Sequence, residues 1–149
     1  MDYKISRDEL FRWCSIPVDQ LEKQAGLKTR LLIKPDRSET MQMIGNMMAD
    51  EVIQHNRDGK ITRWILPAGP TDEYDTFIAR VNQEKISLKN LFIFHMDEFL
   101  DWEGRPFPVA DTYESLEGTM NAAFYNRIDP ELTIPVSQRF WPRINNLDY

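Results

Sequence analysis

The sequence predicts an α/β domain: an open parallel sheet with flanking helices. Three observations carry that expectation. Short apolar runs at 30–34 (RLLIK), 62–66 (TRWIL) and 88–96 (LKNLFIFHM) alternate with segments whose apolar residues recur at helical spacing. Turn-forming stretches separate them, at Pro35, at NRDGK (56–60) and at PAGPT (67–71). The third run is apolar at successive positions, the pattern of a parallel strand covered on both faces. Repeated alternation of strand and helix implies parallel neighbours joined by right-handed crossovers.

Each element follows from its residues. Residues 7–26 read as a helical lead-in: Leu10, Phe11 and Cys14 share a face, Pro17 starts a second helical turn and Gly26 ends it. RLLIK is the first expected strand, stopped by Pro35. Asp36 and Glu39 have capping-box spacing, and Met41, Ile44, Met48 and Val52 continue as a core-facing stripe to about Gln54. TRWIL is the second strand. Thr71 is placed to cap a helix whose inner face is Tyr74, Phe77, Ile78 and Val81. After the third strand, Asp111 and Glu114 repeat the capping spacing, and Tyr113, Leu116, Met120, Phe124 and Ile128 mark a fourth helix. The proline-bearing tail from Asp129 is irregular, with at most a short extended piece near Gln138–Trp141. The division is therefore 1–29 as lead-in and 30–149 as the α/β portion.

Composition narrows the function. The chain has 149 residues, 42% apolar and 28% charged, as in an ordinary soluble protein with one core. With 18 basic against 24 acidic residues and no basic stripe, phosphate-neutralising nucleic-acid binding is not expected. No run reaches transmembrane length and MDYKISRDEL lacks a signal-peptide apolar core, so no membrane partner and a cytoplasmic location are expected. The single cysteine, Cys14, has no disulfide partner and reads as a small core residue. Neither His55 nor His95 has a second histidine at metal-ligand spacing, so no metal site is expected. His55 reads as solvated and His95 as a hydrogen-bonded structural residue.

Ligands of open parallel sheets bind beyond the carboxyl ends of the strands. Two such ends are suggestive here. At Leu66–Thr71 a glycine-bearing turn leads into a helix whose first N–H groups suit an anion. Gly69 admits close backbone approach, and the Thr71 hydroxyl can donate. The same residues also make a plain turn in which Thr71 only caps its helix. At 97–98 two adjacent acids leave the third strand, where one can act as a general base or both can cap the next turn. The residues alone leave both alternatives open.

ILPAGPT (65–71), SLKNLFIFHMDEFL (87–100) and TYESLEGTMNAAFYNRID (112–129) resemble the glucosamine-6-phosphate deaminases/isomerases. The strongest piece is Met96-Asp97-Glu98-Phe99, where that family usually has Met-Asp-Glu-Tyr, and the likeness runs from about residue 30 to the end. It implies a Rossmann-like three-layer fold. It also implies phosphate binding by Ala68, Gly69, Pro70 and Thr71, with proton transfer by Asp97 between the first two carbons of an amino-sugar phosphate. Glu98 becomes a neighbouring residue of the catalytic pair, and Ser115 aligns with a family serine without assigned chemistry. The implied partner is a small phosphorylated sugar, with no cofactor and no metal.

Two departures stand out. The family loop Thr-Gly-Gly-Thr-Pro is here Ala68-Gly69-Pro70-Thr71-Asp72, which loses a glycine and a hydroxyl and adds a negative charge. The family is also about twice this long, and its later half carries the ring-opening histidine. The resemblance therefore implies a truncated fold whose open sheet would need a partner, through self-association as a homo-oligomer. A 6-phosphogluconolactonase-like hydrolase is a rival within the superfamily. Phe99, in place of the arginine usual there, favours the deaminase side. A non-catalytic sugar-phosphate-binding module is the alternative of a different class.

Overall fold

The computed structural model describes residues 5–143. Two compact units divide the chain, Met1–Lys34 and Pro35–Tyr149. In the first unit, Ser6 accepts the Glu9 amide at 3.1 Å and starts α1 (Arg7–Cys14); Pro17 precedes the single turn α2 (Val18–Leu21). Neither helix buries a residue. Leu10, Phe11 and Cys14 are all exposed, so the face expected to be core is not. Residues 30–34 also depart from expectation: they form no strand, and Leu32 and Ile33 are exposed. Apolar content alone does not make a strand, because backbone groups need a ladder partner.

In the second unit the Asp36 carboxylate accepts the Glu39 amide at 2.9 Å and opens α3 (Arg37–Arg57). The turn at Gly59 leads to β1 (Thr62–Leu66), which matches the expected run. After it come α4 (Glu73–Glu84), β2 (Leu91–His95), α5 (Leu116–Ala123), a 3-10 turn at Tyr125–Arg127, another at Val136–Gln138, and β3 (Arg139–Phe140). Among the described residues these strands form one parallel sheet in the order β1-β2-β3. Leu66 pairs with His95 and Phe94 with Phe140, so the carboxyl ends of all three strands lie along one edge. Gln138 fastens the tail in place: its side-chain amide donates to the Lys89 and Leu91 carbonyls at 3.0 and 2.7 Å.

The core lies on one face of this sheet. Leu66, Leu91 and Ile93 meet Ala49 and Val52 of α3, Tyr74, Phe77 and Val81 of α4, and Met120 and Phe124 near α5. Phe124 stacks on Phe77 at 5.9 Å and meets Tyr74 edge-on at 5.0 Å. β2 is apolar on both faces, yet its burial alternates. On the opposite face Ile65 and Phe94 are 71% and 40% exposed, and Phe94 stacks on Phe140 at 4.7 Å.

α3 and α4 approach closely where Gly45 faces α4. A Cβ there would sit 2.8 Å from both the Phe77 amide nitrogen and the Thr76 Cβ, an overlap with backbone that no rotamer relieves. Gly45→Ala should therefore cost about 1–3 kcal/mol through overpacking, read as a lower midpoint in urea unfolding. An unchanged midpoint would show that the helices reseat freely.

Candidate functional site

The turn after β1 is pinned from below. The buried Tyr74 hydroxyl donates to the Pro67 carbonyl at 2.7 Å, and burial pushes its own ionisation well above the ordinary range, so it stays a donor. Ala68 is buried, Thr71 half-buried, and Gly69 and Pro70, joined by a cis peptide, are exposed. A Cβ on Gly69 would meet nothing within 4 Å, so the space above the turn is open. Thr71 does not cap α4 with its side chain. Asp72 takes the N-cap position, also without a side-chain cap bond, so no side-chain oxygen fills this helix N-terminus.

Asp72 is occupied elsewhere. Arg37, from the first turn of α3, grips it with two bonds, Nε to Oδ2 at 2.8 Å and the guanidinium to Oδ1 at 2.7 Å. Those hydrogen bonds above all hold the Asp72 carboxyl below its ordinary range. The negative charge that sequence comparison places beside the turn is thus met by a cation 35 residues earlier. Sequence reasoning missed Arg37, because only the fold brings the start of α3 to the start of α4.

At the end of β2 the Met96 amide donates to the Leu66 carbonyl at 3.2 Å, so the chain leaves β2 at Asp97 next to where it leaves β1 at Pro67. Asp97 is exposed, and among the described residues its carboxylate has no hydrogen bond or ion pair. Its neighbour differs. Glu98 Oε1 accepts the Leu116 and Phe99 amides at 2.7 and 3.0 Å, and Oε2 accepts the Glu117 amide at 2.9 Å. Ser115 Oγ accepts the Gly118 amide at 3.1 Å, so the N-terminus of α5 is filled by two side chains. Asp111 binds the Tyr113 and Glu114 amides in a turn ahead of the helix, which starts later than the spacing at 111–114 predicts.

His95 is structural, as expected. It is 7% exposed, stacks on Trp141 at 3.5 Å and 5°, and places Nε2 2.8 Å from the Tyr125 hydroxyl. Nδ1 is buried with no partner among the described residues. Burial first, then the nearby Arg139 charge, lowers its pKa to about 4. His55 is less solvated than expected, since Nδ1 reaches Thr62 Oγ1 at 2.9 Å. Beyond β3, Arg143 is ion-paired with Glu117. A cavity of about 300 Å³ lies between Glu98, Ser115, Arg143 and the apolar Leu100, Phe107 and Val109; neither Asp97 nor any of residues 67–71 lines it. Among the described residues no three His, Cys, Asp or Glu side chains gather as a metal set, and no helix is long and apolar enough to cross a membrane.

No protein-family model matches the chain, and no curated protein matches it in sequence. Among solved structures, a monomeric glucosamine-6-phosphate deaminase, described as a missing link of the NagB superfamily, is similar to it. The TM-score is 0.57 at 23% identity, over 75% of this chain and 41% of that one. The fold is shared with that deaminase. At this identity the likeness speaks for the arrangement of strands and helices, and it covers less than half of the neighbour's length.

Proposed function

We propose that the chain carries a sugar-phosphate site of the glucosamine-6-phosphate isomerase/deaminase type, acting on an amino-sugar phosphate with release of ammonia. One observation carries the reading: an unencumbered Asp97 and a glycine-bearing βα turn without a side-chain cap leave the carboxyl ends of adjacent parallel strands. The phosphate rests on Ala68, Gly69, Pro70 and Thr71, ahead of α4, whose Tyr74 and Asp75 amides turn back to the Thr71 and Asp72 carbonyls. Asp97 takes the proton from the second carbon of the open-chain aldose and returns it to the first. Meanwhile the C1 oxygen gains a proton and the amine gives one up, which leaves C2=NH beside a C1 hydroxymethyl group. The resulting imine is hydrolysed to a ketose phosphate and ammonia. That chemistry needs a proton carrier and water, with no redox or metal step, and a phosphorylated sugar belongs to the cytoplasm.

A second reading, a binding module without turnover, draws on the isolation of Asp97: among the described residues no acid/base group is bonded to it. Glucosamine 6-phosphate supplied to the protein separates the readings. Calorimetric binding with production of ammonia and fructose 6-phosphate is the expected result. Binding with neither product supports the module, hydrolysis of 6-phosphogluconolactone instead supports the lactonase rival, and absence of binding overturns the site.

A further inference from the structure

The turn that carries Asp97 is tied at both ends. On one side Met96 is hydrogen-bonded to β1 through the Leu66 carbonyl. On the other, Glu98 reaches across 18 and 19 residues to the first two amides of α5, at 2.7 and 2.9 Å. A helix start needs only a local cap, and Ser115 already supplies one on the Gly118 amide. The carboxylate satisfies two further N–H groups and places a negative charge at the positive end of the helix dipole. The helix end it grips is itself fixed. A Cβ on Gly118 would fall 2.4 Å from the Val109 carbonyl oxygen, so the 100–111 loop lies directly against α5.

We propose that Glu98 is the positioning residue for Asp97. Its carboxylate anchors the turn after β2 to the first turn of α5, fixes the backbone from which Asp97 projects, and itself moves no proton. The inference rests on the reading of Asp97 as the base. Of the two adjacent acids, one is held by three N–H groups and the other has none. A base must be held close to its productive geometry, and a displacement on the order of 1 Å costs about 10²-fold in rate.

The test uses Glu98→Gln, with Ser115→Ala as the control that removes a cap from the same helix without releasing residue 98. Amide hydrogen exchange, kcat, KM and the pH–rate profile are measured on both. In Glu98→Gln the Leu116, Glu117 and Met96 amides should exchange faster. Its kcat should fall by about 10²-fold with KM nearly unchanged, and both limbs of the pH profile should persist. Ser115→Ala should expose the Gly118 amide and keep kcat. Loss of a pH limb in Glu98→Gln overturns the proposal, because Glu98 would then carry the proton. An equal fall in kcat in Ser115→Ala overturns it too, as does an unchanged Met96 amide. A wild-type protein that turns over no phosphosugar refutes the Asp97 chemistry separately, while the exchange measurements still decide whether Glu98 holds the turn.

Discussion

Asp97→Asn should cut isomerisation by about 10²–10⁴-fold while leaving phosphosugar binding nearly intact. The expectation follows from what Asp97 does not do in the fold. Its side chain is exposed and, among the described residues, unbonded, so the isosteric amide removes no contact and stability should move by less than about 0.5 kcal/mol. The amide keeps the shape of the carboxylate and loses the ability to accept a proton, so any fall in rate isolates proton transfer. The measurement is exchange of the substrate's C2 hydrogen with solvent deuterium, alongside ammonia release and calorimetric binding. Loss of kcat at constant affinity is the signature of an interaction made only in the transition state. Turnover equal to wild type would remove Asp97 from the mechanism.

What the sequence disclosed, and what it hid, follows from the range of the interactions. TRWIL and the Tyr74, Phe77, Ile78, Val81 stripe are local patterns, and the fold uses them as read. The short extended piece near Gln138–Trp141 is also present, as β3. RLLIK fails because pairing, not apolarity, defines a strand, and Cys14 fails because its helix has no core of its own to face. The two D-x-x-E spacings look alike, yet only Asp36 caps its helix directly. At 111–114 the carboxylate closes a turn, and the true caps of α5 are Ser115 and a glutamate from another element.

The same limit governs the candidate site. Asp97 and the 67–71 turn were legible because each follows a recognisable strand. That their strands end side by side depends on the register Leu66↔His95, which no local pattern contains. The different fates of the two helix ends are equally non-local. Asp72, next to α4, is drawn away by Arg37, whereas Glu98, distant in sequence from α5, fills its N-terminus. The start of α5 is closed by side chains and that of α4 is not, which is why the proposed anion subsite lies at 67–71.

The other large effect is on stability and concerns His95. Tyr125, Trp141 and the Arg139 guanidinium face its ring, and none of them offers it a negative charge. The folded pKa of about 4 lies below the ordinary 6.5, so the unfolded chain binds the proton more readily. The sign follows: His95's contribution is complete above pH 6.5 and is lost as pH falls towards 4. At about 1.4 kcal/mol per pH unit, the whole interval is worth roughly 3 kcal/mol. Carboxyls held low by cations (Asp58 by Lys60, Asp72 by Arg37, Glu84 by Arg80) keep their contribution until pH falls to their ordinary values of 3.8 and 4.5. The upper part of the window therefore belongs to His95. Urea unfolding between pH 7 and 4.5 should show falling stability for the wild type and a much flatter line for His95→Gln, which does not titrate. Parallel slopes would mean that the imidazole takes its proton as easily folded as unfolded. The predicted slope also bears on the proposed chemistry: at neutral pH His95 is an uncharged ring stacked on Trp141, so the proposal gives it no proton-donor role beside Asp97.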